Sequence, residues 1–389
     1  SNAEVTSVTY GSEGGDDQSL VRDPIATGSF VKHTNATGAS GATFSPAKNI
    51  DGSYVKTPTE WVGTAKSNSW TTAGNWSNGT PDGNYRVVIP SSLSTYPTIS
   101  AAATVNSIVI ENGGSLVGQE NLTVNGTAVV QQDIEGYSQS TGDEDGWHLI
   151  SSPVNNMTIA GSDFEPDAGA DNDDFYAWEE SSSTWLNFEV GSNNIINFEN
   201  GNGYLVAYEN TATREFIGDL NTNDVTISGL SDQTPSDNST YGWNLVGNPF
   251  SSAIQWDNGD WSLGNFQATA KIRDESGGNY IDITSGGTNI IPINQGFFVQ
   301  AISDEVSLTI PASAQAHSSQ VLYKNNKELE GFLKIKVSAD TNSFYDIQTI
   351  RLHPESDESY DRYDSEKFYG NENAPQFYSI DEALGNLST

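Results

Sequence analysis

The chain has no cysteine. That absence removes thiolate nucleophiles, thiolate metal ligands and disulfide cross-links together. Basic side chains are also scarce: 16 Lys and Arg stand against 51 Asp and Glu, a net charge of −35 over 389 residues. Nucleic acid and acidic phospholipid gain nothing from such a surface, and neither is expected as a partner. No apolar run approaches the ~18 residues of a membrane helix, so no membrane insertion is expected. Sustained 3.6-residue periodicity is missing too, which argues against long amphipathic helices. HExxH, GxSxG, a Walker loop and a GxGxxG after a strand are all lacking, so hydrolase and nucleotide chemistry have no motif to rest on. Glycoside hydrolysis asks only for two carboxylates ~5–10 Å apart, a test that any chain this acidic passes by chance. The four histidines, His33, His148, His317 and His353, have no paired metal spacing. Histidine 148 sits in a strand pattern beside Trp147 and is expected to be structural.

The shortage of positive charge has a location. Between Arg86 and Arg214 lie 127 residues with no Lys or Arg and 18 Asp or Glu. Repulsion there must be relieved by solvent, salt or divalent cations. The plain expectation is a solvated acidic face; the sharper one is bound Ca²⁺.

Aromatics make up 10% of the chain, enough to build cores and to argue against a disordered polyanion. Short β-branched and aromatic runs, bounded by Gly, Asn, Asp, Ser and Pro, read as strands. They include Tyr85 to Ile89, Ser107 to Ile110, Asp224 to Ile227, Phe332 to Val337 and Thr349 to Leu352. The chain therefore reads as all-β and multi-domain. Residues 1–60 are loop-rich. Residues 61–140 open on Trp61, Trp70 and Trp76 among turn formers, an expected aromatic cluster. Short strands then follow at about 15-residue spacing, either coils of a small β-solenoid, which is favoured, or a meander. Residues 321–389 form a C-terminal β segment.

Between these lies a duplication. GWHLISSPV (146–154) recurs as GWNLVGNPF (242–250), an offset of 96. GYLVA (203–207) recurs as GFFVQ (296–300), an offset of 93. Glu179-Glu180-Ser181 followed by Trp185 matches Asp274-Glu275-Ser276 followed by Tyr280, an offset of 95. Three landmarks in one order predict two sandwich-like β units, at 141–235 and 236–320. The G-W-x-L alternation puts Trp and Leu on one face, so Trp147 and Trp243 are expected in equivalent core places. Pro153 and Pro249 should end their strands, and the acidic-acidic-Ser segments should be hairpin turns.

These residues also resemble a known class. GWNLVGNPFSSAIQWD (242–257), REFIGDLNTNDVTISGL (214–230), NQGFFVQA (294–301), WTTAGNWSNGTPDGNY (70–85) and the stretch 351–380 are similar to blocks common in cargo of the Bacteroidetes type IX secretion system. The resemblance implies a secreted or outer-surface, adhesin-like region, and it carries over no catalytic residue. The expected function is thus surface binding or spacing without catalysis, toward a glycan or protein ligand. The alternative is a carbohydrate-binding accessory region of an exported polysaccharide-processing protein.

Two kinds of site are candidates. The loop EPDAGADNDD (165–174) offers Asp167, Asp171, Asp173 and Asp174 as oxygen ligands for Ca²⁺, although its spacing is not that of an EF-hand. TGDEDGW (141–147) offers Asp143, Glu144 and Asp145. For stacking on sugar, Trp256 and Trp261 in QWDNGDW (255–261) lead, with Trp178 and Trp185 second. For all four the competing expectation is aromatic core.

Overall fold

In the computed structural model the described residues are 17–23, 29–45, 58–65, 67–137, 146–167, 173–233, 240–274, 279–284, 289–318, 332–340, 342, 344–351, 367–371, 373–381 and 385–387. They form 28 strands and short 3₁₀ turns, with no α-helix among them. The first two strands, β1 (Leu20–Asp23) and β2 (Ser29–Lys32), make a small antiparallel pair.

The next segment is a parallel stack. β3 (Thr59–Glu60), β4 (Arg86–Ile89), β6 (Ser107–Ile110) and β8 (Ala128–Ile134) pair side by side in parallel, and β5 (Ala103–Val105) pairs in parallel with β7 (Leu122–Val124). Parallel ladders exclude the meander. Arg86 faces Ser107 and Ile108 faces Ala128, so the chain advances 21 and then 20 residues per coil, longer than the expected 15. Valine and isoleucine alternate inward along each strand: Val87, Ile89, Ile108, Ile110 and Val130 are buried. Trp76 packs edge-on against both Trp61 (ring centroids 5.1 Å apart) and Trp70 (4.7 Å) at the head of this stack.

Two groups of eight strands follow. The first contains β8, β9 (His148–Ile150), β10 (Met157–Thr158), β11 (Asp174–Glu179), β12 (Thr184–Asn187), β13 (Asn197–Phe198), β14 (Tyr204–Ala207) and β15 (Ala212–Gly218). The second contains β16 (Val225–Leu230), β17 (Trp243–Gly247), β18 (Ala253–Gln255), β19 (Phe266–Asp274), β20 (Asn279–Ile283), β21 (Ile290–Ile291), β22 (Gly296–Ala301) and β23 (Val306–Ile310). One four-stranded sheet runs β12-β11-β14-β9 and the other β20-β19-β22-β17. The outermost strands of each group also pair, β8 with β15 and β16 with β23, as do β10 with β13 and β18 with β21.

The registers agree residue by residue. Leu149 faces Leu205 as Leu245 faces Phe298, and His148 faces Val206 as Asn244 faces Val299. Trp178 faces Trp185 as Arg273 faces Tyr280. Tyr176 faces Leu205 as Lys271 faces Phe298. Strand pairing thus groups 128–218 and 225–310, shifted N-terminally from the expected bounds. The reason is β8, which closes the parallel stack on one edge and opens the first unit on the other. One apolar core consequently runs from the tryptophans of the stack through Phe164, Phe175, Phe198 and Phe216 of the first unit. A second fills the second unit.

The C-terminal strands β25 (Phe332–Ser338) and β26 (Tyr345–Arg351) form a hairpin. It lies beside β20. Between the second unit and this hairpin comes β24 (Gln315–Ala316), and the chain closes with β27 (Ser379–Asp381) paired to β28 (Gly385–Leu387). Leu352 and His353 lie outside the described residues. Among the described residues no helix is long and apolar enough to cross a membrane.

Candidate functional site

The two units meet through a reciprocal set of contacts. Ile150 of the first bridges Gln295 of the second, and Val246 of the second bridges Asn202 of the first. The Ser151 amide donates to the Asn294 carbonyl (2.9 Å), and the matching Gly247 amide donates to the Gly201 carbonyl (2.7 Å). Trp178 Nε1 donates to the Trp243 carbonyl at 2.7 Å; its counterpart Arg273 donates through Nη1 to the Trp147 carbonyl at 2.6 Å. Residue i of one unit touches j of the other, and j touches i, which is the signature of an isologous, two-fold interface. Backbones cross so closely that side chains are shed. A Cβ on Gly203 would lie 2.5 Å from the Val246 carbonyl oxygen, and one on Gly296 would lie 3.0 Å from that of Ile150. At the pseudo-axis, a Cβ on Gly247 would overlap Ser151.

Buried polar groups fasten this junction. Glu180, 4% exposed, accepts from Ser231 Oγ, the Gln233 amide and the Gly242 amide. Gln295 Nε2 donates across to the Leu149 carbonyl and within its own unit to that of Gly296, while Asn248 Nδ2 braces the second unit internally through the Ser252 and Pro292 carbonyls. Gln119 of the stack accepts from Ser251 and donates to the Asn221 carbonyl, tying the stack to the second unit. Each group satisfies a backbone partner that burial would otherwise leave stranded.

The symmetry breaks at two places. The first is the tryptophan pair. Trp243 is 0% exposed, stacked on Phe368 with centroids 5.6 Å apart, and Lys271 Nζ lies 5.3 Å from its ring. Trp147 is half-buried beside Tyr176, at 5.9 Å. The expectation of equivalent core places is therefore corrected: the registers match, but the C-terminal segment covers the second ring. Near Phe368 two buried ion pairs form, Lys271 with Asp282 inside the second unit and Lys367 with Asp346 inside the C-terminal segment, each at 2.6 Å. Burial lowers the Lys271 pKa against the opposing pull of Asp282.

The second break is a cleft of about 430 Å³ between the units. On one flank of the junction Asn294 Nδ2 donates to Gln132 Oε1 at 3.1 Å, and both side chains are buried. On the other flank the counterparts are Gly201 and Ile227, and the Ile227 side chain packs onto Gly201, where a Cβ would meet it at 2.7 Å; β16 then bulges at Gly229, φ +74°. The cleft beyond it is lined by Trp178, Leu186, Ile196, Asn194, Asn202 and Glu199 among others. Ile196 is 54% exposed at its mouth. Tyr204 forms part of the wall; burial raises its pKa above the ordinary tyrosine value.

The residues singled out from sequence are scattered. Trp256 (0% exposed) and Trp261 (8%) stand 4.7 Å apart in the second core, their indole N–H groups donating to the Ala268 and Gln255 carbonyls. No open ring face is left for a sugar, which corrects the stacking expectation for this pair. Trp178 and Trp185 are half-buried, 4.9 Å apart, and Trp178 lines the cleft. In the acidic loop, Asp173 Oδ2 accepts from the Asp167 amide (3.4 Å) and Oδ1 from the Glu209 amide (2.9 Å). Asp174 Oδ1 accepts from the Tyr176 hydroxyl at 2.9 Å. Asp171, Asp143, Glu144 and Asp145 lie outside the described residues, and among the described residues no three acidic or histidine side chains are gathered to hold a metal ion. His148 is buried and donates through Nε2 to the Glu135 carbonyl, a structural role.

A family model described only as a domain of unknown function, DUF8693, matches residues 108–259. That span runs from the last coils of the stack through the first unit to just past β18. No curated protein and no solved structure matches the chain.

Proposed function

We propose that this chain is an exported, outer-surface module of adhesin type: twin β units derived from one ancestor, held as a stiff body that presents a binding surface and performs no chemistry. One observation carries the reading, the reciprocal junction between the units. Its buried Glu180 and Gln295 are committed to backbone partners across it, a use of polar groups that favours rigidity and a fixed presentation. The sequence resemblance to type IX secretion cargo supports the same location, and the net charge of −35 suits a saline exterior. A rigid surface binds with little ordering cost, as a module exposed to shear and dilute ligands requires.

The test is display of the full chain on an otherwise non-adhesive bacterium, with retention on polysaccharide-coated and protein-coated surfaces measured under flow. Retention above that of undisplayed cells is expected. Equal wash-off on every coating overturns the adhesin reading.

A further inference from the structure

We infer that the cleft beside Trp178 is a binding site for an uncharged oligosaccharide, an inference that rests on the surface-binding reading above and names its ligand class. The cleft lies where the two units meet, walled by β11, β12, β14 and residues 193–199 of the first and by β16 and β17 of the second. It encloses about 430 Å³. That volume falls in the range of small-ligand sites, roughly 300–1,000 Å³, and interfaces between modules are where such sites concentrate.

The lining selects the ligand. Trp178, Leu186, Ile195 and the exposed Ile196 give apolar surface for the C–H faces of pyranose rings. Asn194 and Asn202 stand beside them. A carboxamide offers a donor and an acceptor from one group, which suits neighbouring hydroxyls that need both. Glu179 and Glu199 flank the mouth on a strongly anionic chain, so phosphate, sulfate and uronate groups meet repulsion. Glu180, also in the wall, is committed to Ser231, Gln233 and Gly242 and acts as a strut.

The experiment titrates the full chain with cellohexaose, laminarihexaose and mannohexaose, with a heparin-derived hexasaccharide as the anionic probe. Calorimetry and tryptophan fluorescence read binding. At least one neutral hexasaccharide is expected to bind, heparin is not, and the double variant Asn194→Ala, Ile196→Ala should weaken binding about tenfold or more. Both positions are solvent-facing, so folding should persist. A second variant, Ser228→Tyr, places a ring at the cleft wall from an exposed strand position and should abolish binding. No binding of any neutral probe at millimolar concentration overturns the inference, as does binding that survives both variants or a preference for heparin. If these results come with normal surface retention under flow, the cleft inference alone falls; loss of retention with intact oligosaccharide binding instead strikes the adhesin reading.

Discussion

The first and second units share strand order and register, yet they are completed differently. The second is sealed: Phe368 lies on Trp243, a Lys271–Asp282 pair is buried in the unit and a Lys367–Asp346 pair in the segment that covers it, and Asn294 with Gln132 fills one flank of the junction. The first keeps Trp147 half-buried and an open cleft beside Trp178. Backbone pairing, set by alternation and turns, tolerates wide variation in what fills the spaces around it. In this molecule the variation is where a binding function can reside, and the shared scaffold is where rigidity resides.

The sharpest way to break the comparison is to truncate the matched tryptophans. Trp243→Ala is expected to cost about 4 kcal/mol, because a large ring leaves a closed cavity. Trp147→Ala should cost less than about 2 kcal/mol, since solvent already reaches that ring. Urea denaturation measures both, and equal losses would mean that the exposure difference has no energetic weight. Next in size is Gly247→Ala. The added methyl meets Ser151 at the pseudo-axis, and a loss of about 2–3 kcal/mol is expected from forced backbone shifts. An unchanged denaturation midpoint would show that the units are not pressed together there.

A smaller effect comes with alkali. Burial raises the pKa of both Tyr204 and Tyr208 above 10.0. The folded chain therefore keeps protons that the unfolded chain releases, so their contribution is complete below pH 10 and is lost as pH rises beyond it. Both residues belong to the first unit, and Tyr204→Phe should flatten the alkaline fall in melting temperature. A curve unaltered by that substitution would contradict the assignment. The smallest expected effect is that of chelation. Among the described residues no three acidic side chains are gathered for a cation, so EGTA should move the melting temperature by less than about 1 °C, and a fall of several degrees would argue for calcium in the 165–174 loop.

Much of this architecture is legible in the sequence, through particular residues. The W-x-L alternation, the two prolines after it and the first acidic hairpin locate β9, β17 and the β11–β12 turn; Glu275 and Ser276 of the second lie outside the described residues, between the paired Asp274 and Asn279. What local pattern could not show is why Gly203 and Gly296 recur. Each makes room for a carbonyl of the other unit, a contact between residues about 40 to 150 positions apart in sequence. Trp256 and Trp261 mislead because QWDNGDW is polar around them, and polarity of neighbours does not say which way a ring turns. The cleft has no local signature, because its walls come from strands of both units.

The central claim is that the two units form one body through a reciprocal junction. Hydrogen exchange on the full chain, comparing the native protein with Gly296→Ala, tests it most directly. The account predicts that amide protection falls together in β9–β14 and in β17–β22, because the new methyl presses on Ile150 of the other unit. Loss of protection confined to the second unit would contradict it.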